Sequence, residues 1–67
     1  MFIIKWTNKF SGEIGYVKSV NIMKQHFINT FELGEAKQYE EATAKRVMSN
    51  LIAWGEGRNN DFELVAA

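Results

Sequence analysis

The sequence predicts an α+β domain in which an antiparallel β-sheet of three to four strands carries one helix packed on one face, in the order β-β-(β)-α-β. Three patterns lead to it. Residues near the start alternate between two faces with period two, as strands do. A stretch past the middle repeats its apolar residues every three to four positions, as an amphipathic helix does. Between these segments lie clusters of turn formers that include glycine.

Phe2, Ile4 and Trp6 alternate with Ile3 and Lys5, which sets a first strand over residues 1–6. Thr7 to Gly12 gathers turn-forming residues, and Gly12 is suited to a positive φ. Residues 13–20 resume the alternation, with Ile14, Tyr16, Lys18 and Val20 on one side and Gly15, Val17 and Ser19 on the other. The two segments make an antiparallel hairpin. Residues 21–33 fit two periods. Phe27, Ile28, Thr30, Phe31 and Leu33 suit a strand, whereas Ile22, Met23, Phe27 and Phe31 lie near one helical face. Their β-branched and aromatic content favours a third strand over residues 25–33, joined through residues 22–24.

The helix is expected over residues 40–54, where Ala44, Val47, Met48, Leu51 and Ile52 form the apolar stripe. Glu40 and Glu41 sit in its first turn, where the positive end of the helix dipole favours carboxylates, and Glu41 is one turn from Lys45. Gly55 is placed to end the helix in the left-handed conformation. Gly57, Asn59, Asn60 and Asp61 then read as a loop, and residues 62–65 as a closing strand.

A chain of 67 residues closes one hydrophobic core, so residues 1–67 are expected to form a single domain. With no cysteine and one histidine, neither disulfides nor a histidine or thiolate metal site can staple it. Packing or association must do so. Two Trp, two Tyr and five Phe are many for this length, and each can bury about 150–250 Å². The longest apolar runs, Phe2 to Ile4 and Leu51 to Trp54, fall far short of the roughly 18 residues a membrane span needs. The start carries no basic-then-apolar stretch of signal-peptide length, and the expected location is the cytoplasm. Charge is balanced overall but not along the chain. Lys5, Lys9, Lys18 and Lys24 face only Glu13 in residues 1–31, while Glu32, Glu35, Glu40, Glu41, Glu56, Asp61 and Glu63 dominate the remainder. Opposite potentials on two faces would result unless the fold interleaves the halves.

Catalytic chemistry finds little support. A nucleophile needs an adjacent base, and His26 is the sole histidine, flanked by Gln25 and Phe27. A metal held by His26 with Glu32 or Glu35 would lack the usual nitrogen and sulfur donors. Glu40 and Glu41 are neighbours about 100° apart on a helix, so their carboxylates do not converge on one bond. Gly55-Glu56-Gly57 follows a helix and precedes a strand, the reverse of a dinucleotide-binding loop. No catalytic, cofactor-binding or metal residue is assigned, and no cofactor is expected.

Two surfaces remain as candidates. Glu40, Glu41, Trp54 and Glu56 form a candidate protein interface, with Trp54 either capping the core or standing out as an anchor. Lys5, Trp6, Lys9, Phe10, Tyr16 and Lys18 interleave positive charge with aromatic rings, the combination that attracts phosphates and stacks unpaired bases. Alternation, however, turns Lys5 and Trp6 to opposite faces.

Lys5-Trp6-Thr7-Asn8 followed by Gly12-Glu13-Ile14-Gly15-Tyr16-Val17 resembles the opening of a cold-shock domain. That family is an all-β barrel, threonine and isoleucine replace its base-stacking aromatics here, and the helix from Glu40 opposes a barrel, so the likeness stays local. Glu35-Ala36-Lys37-Gln38-Tyr39, then Ala44, Leu51 and a short closing strand, is similar to many small uncharacterised proteins of bacteriophages and prophages. This second resemblance implies a helix-on-sheet module that binds and modulates a host protein. The expected function is therefore that of a small non-enzymatic binding protein, phage-encoded, acting on a host protein. Self-association is the simpler form, because a single-layer sheet leaves one face uncovered. The alternative is a single-stranded nucleic-acid-binding module that uses the N-terminal hairpin.

Overall fold

The computed structural model describes all residues from Met1 to Ala67. Four strands, β1 (Phe2–Asn8), β2 (Ile14–Asn21), β3 (His26–Thr30) and β4 (Asn60–Ala66), form one antiparallel sheet in the order β3-β2-β1-β4. A single α-helix, α1 (Glu41–Ala53), lies on one face against β1 and β4. The α+β class, the single helix and the strand assigned within residues 21–33 are all present. β3 is shorter than expected, and β1 runs two residues further, to Asn8.

Asn8 turns the chain. Its Oδ1 accepts the backbone N–H groups of Phe10 and Ser11, both at 2.9 Å, and Gly12 follows at φ 78°. The second hairpin turns through Ile22 to Gln25, with Asn21 Oδ1 accepting the Lys24 N–H at 3.1 Å. Gln25 closes it at φ 50°, the one non-glycine residue in the left-handed region.

Three expectations need correction. The expected alternation of residues 13–20 breaks at a β-bulge between Val17 and Ser19, so Val20 joins Val17 on the helix side instead of opposing it. Ile52 is exposed, because the stripe centres on Ala44 and Leu51 and Ile52 lies about 100° round the helix from Leu51. Residues 57–61 are not a plain loop. Glu56–Arg58 form a 3-10 turn after Gly55, which does stop the helix at φ 94°, and β4 begins at Asn60.

The core is small. Ile4, Trp6, Val17 and Leu51 form its centre, and Phe27, Tyr39, Val47, Met48, Trp54, Phe62 and Leu64 pack around it. Trp6 lies across Gly15, its paired residue on β2, and a Cβ there would fall inside the indole and 3.0 Å from the Thr30 carbonyl oxygen. That missing methyl lets the indole lie flat, with Nε1 donating to the Tyr16 carbonyl at 3.3 Å.

β1 and β2 pair only from Thr7↔Ile14 to Lys5↔Tyr16, and past the bulge β2 swings away. The segment before α1 takes the vacated place. Lys37 N–H donates to the Val17 carbonyl at 3.0 Å, while Phe2 and Tyr39 exchange both backbone hydrogen bonds, at 2.7 and 2.8 Å. Tyr39 is thereby half-buried, and burial pushes its phenol above the ordinary 10.0.

Three outcomes follow from these contacts. Gly15→Ala forces the indole off the sheet and should lower stability by about 1–3 kcal/mol, read by urea unfolding together with a changed near-UV circular dichroism of Trp6. Gln25→Gly relieves the left-handed strain, and after the entropic cost of glycine should raise stability by about 0.5–1 kcal/mol in the same assay. Tyr39 holds its proton more tightly when folded than when unfolded, so its contribution to stability is complete below pH 10 and is lost as pH rises beyond that. Alkaline melting curves of Tyr39→Phe should lack that part of the decline.

Candidate interaction surface

α1 leaves the β2–β3 half of its own sheet face open. There the aromatic side chains of Trp6, Phe27 and Phe31 line a groove of about 490 Å³ with a polar rim that includes Asn8, Asn29 and Asn60. Strand alternation sends Phe27, Asn29 and Phe31 to this side. Phe31 meets the edge of the Trp6 indole at 5.7 Å between centroids and 67° between planes, and Phe27 meets Phe62 at 5.9 Å and 80°. Such edge-to-face pairs contribute about 0.5–1.5 kcal/mol each beyond area burial. Phe31 nonetheless keeps 61% of its surface in solvent, so one side of the ring packs and the other is free.

Glu13, His26 and Glu56 also reach the rim of this groove, a grouping that sequence spacing did not foretell. No hydrogen bond or ion pair joins any two of them. No cluster of three or more metal-ligating side chains occurs in the chain. What the groove offers is a hydrophobic floor, amide groups able to pair with a peptide backbone, and two rim carboxylates that favour a cationic neighbour.

The opposite face of the sheet is only partly bare. Leu33 and Gly34, from a 3-10 turn at Leu33–Glu35, border a shallow recess of about 470 Å³ with Ile3, Lys5, Tyr16 and Val65. Ile3 is 4% exposed despite pointing away from α1, which corrects the expectation of an uncovered face. The turn is held by Thr30, whose Oγ1 donates to Glu35 Oε1 at 2.8 Å and accepts the Glu32 N–H at 3.1 Å.

The acidic set is not brought together. Glu40 precedes α1 and Glu41 opens it, 4.0 Å from Lys45, while Trp54 and Glu56 lie past its other end, about 20 Å away along a 13-residue helix. Trp54 is half-buried against the core, which gives it the capping role. The basic aromatic set is dispersed as well. Trp6 is buried on the helix side and Tyr16 lies on the other, beside Lys5. Phe10 stands alone at the hairpin tip and Lys18 is exposed at the bulge. Because β4 pairs with β1, Lys5 meets Glu63 at 3.4 Å and Lys9 meets Asp61 at 3.7 Å. The two halves of the chain are thus interleaved, and the charge asymmetry of the sequence does not become two opposed faces.

Phe27, Asn29 and Phe31 share a period-two spacing in the sequence, but that they stand beside an open groove depends on α1 docking over β1 and β4, which no local pattern encodes. No helix is long and apolar enough to cross a membrane. Set against family models, curated proteins and solved structures, the chain finds no match.

Proposed function

We propose that this chain is a non-enzymatic binding module that acts by occupying a surface of another protein. The observation that carries the reading is the aromatic floor left open beside α1, where Phe31 is largely solvated while still anchored to Trp6. Exposed apolar side chains rimmed by polar groups are the usual signature of a protein contact. Partner chemistry follows from the lining. An apolar side chain seats on Phe27 and Phe31, a flanking lysine or arginine meets Glu13 or Glu56, and the asparagines at the rim pair with peptide groups. The resemblance to small phage proteins suggests a bacterial host protein as that partner, met in the cytoplasm.

Affinity capture from bacterial lysate tests this, with Phe31→Asp run beside the parent chain. A specific protein should be recovered with the parent and lost with the variant, while far-UV circular dichroism shows both folded. Equal recovery by both, or none by either, overturns the reading. Binding of oligonucleotides at low salt that disappears in Phe10→Ala would instead select the nucleic-acid alternative, through the one aromatic ring that stands free at the tip of the first hairpin.

A further inference from the structure

Two carboxylates at the rim of the groove beside α1 have no counter-charge. Glu41, Asp61 and Glu63 each meet a lysine of the chain, whereas Glu13 and Glu56 meet none. No lysine or arginine lines the groove, and His26 is its one basic side chain. Asn60 adds a further acceptor to the lining, because its Nδ2 donates to the Glu56 carbonyl at 3.4 Å and its Oδ1 stays free. Glu13 precedes β2, Glu56 lies in the 3-10 turn after α1, and Asn60 opens β4. Three segments distant along the chain thus bring acceptors, two of them anionic, to one cavity with an aromatic floor.

We propose that the group this groove takes is the side chain of an arginine on the partner protein. The proposal rests on the binding reading and names its anchor. Arginine unites both features of the groove in one residue, a stem of methylenes that lies on apolar surface and a planar guanidinium that carries charge at its end. The stem lies over Phe27, and the guanidinium stacks on the free face of Phe31, whose other side is held against Trp6. From there its N–H donors spread in the plane toward the carboxylates of Glu13 and Glu56 and toward Asn60 Oδ1. A lysine ammonium is a compact, strongly hydrated charge that does not stack on a ring as a flat group does. A neutral apolar side chain would cover the floor and leave both carboxylates at the border of the contact without a counter-charge. The same rim repels phosphate.

Nuclear magnetic resonance of the purified chain tests this, with Nα-acetyl-arginine methylamide as the probe and the Trp6 indole N–H as the reporter. The parent should show a saturable shift with a Kd on the order of 1 mM. The lysine analogue should bind about threefold more weakly, for want of a flat group to stack. The citrulline analogue, which keeps the shape of arginine without its charge, should bind about tenfold more weakly. Glu13→Gln and Glu56→Gln should each weaken the probe about threefold and the two together about tenfold, with backbone spectra otherwise unchanged. Phe31→Leu, which stays apolar and removes the ring, should weaken it about threefold.

A parent without a saturable shift up to about 20 mM overturns the proposal. So does a lysine or citrulline analogue that binds as tightly as the arginine probe, or a double glutamine variant or Phe31→Leu that binds like the parent. Partner capture that is lost in Phe31→Asp but kept in the double glutamine variant removes the arginine and leaves the binding reading standing. Saturable arginine binding with no partner captured does the reverse.

Discussion

A helix about 10 Å across cannot shade a four-stranded sheet that spans about 14 Å between its outer strands, and the arrangement of this molecule follows from that mismatch. α1 settles over β1 and β4, where Leu51 packs in the core with Ile4 and Ala44 is fully buried. The β2–β3 half must be closed by side chains of the sheet itself. Trp6 does most of this by lying sideways across Gly15, and Phe31 and Phe27 extend the cover outward through edge-to-face contacts. Aromatic rings suit the task because each covers much area from one backbone position, but a ring at the margin of such a cover keeps one face wet.

The same economy shapes the join between sheet and helix. β2 leaves β1 at the bulge, and the chain on its way to α1 fills the opening with backbone hydrogen bonds from Lys37 and Tyr39. Those bonds satisfy groups on Phe2 and Val17 that the departing strand would leave unpaired in a half-buried position. They also fix where α1 begins. Without the bulge, strict alternation would turn Val20 to the face opposite Val17.

Much of this architecture was legible in the sequence because it rests on periodicity. The alternation of Phe2, Ile4 and Trp6, the stripe from Ala44 to Leu51 and the glycine at position 55 each mark a local preference that the fold keeps. What stayed hidden depends on partners distant along the chain. The bulge shows no local mark, since Val17-Lys18-Ser19 alternates as well as its neighbours do. The neutral pairing of Lys5 with Glu63 and of Lys9 with Asp61 needed the knowledge that β4 docks beside β1, and this dissolved the basic hairpin that the linear order displayed. The two surfaces that the sequence suggests, Glu40, Glu41, Trp54 and Glu56 around the helix and the lysines interleaved with aromatics from Lys5 to Lys18, follow the linear order of the chain, whereas the groove is assembled from β1, β3 and the turn after α1.

Eight residues of the whole chain are buried, so stability and recognition cannot be assigned to separate sets of side chains. Phe31 packs on the indole that closes the core and also presents the free face of the groove. Any partner seated on that ring excludes water from the Trp6 contact beneath it and restricts the end of β3, where Thr30 and Glu35 hold the following turn. Ligand that binds only the folded chain stabilises it in proportion to occupancy. In a molecule with so little interior, covering the groove therefore adds to the core itself, and the β3 side becomes firm to the extent that something rests on it.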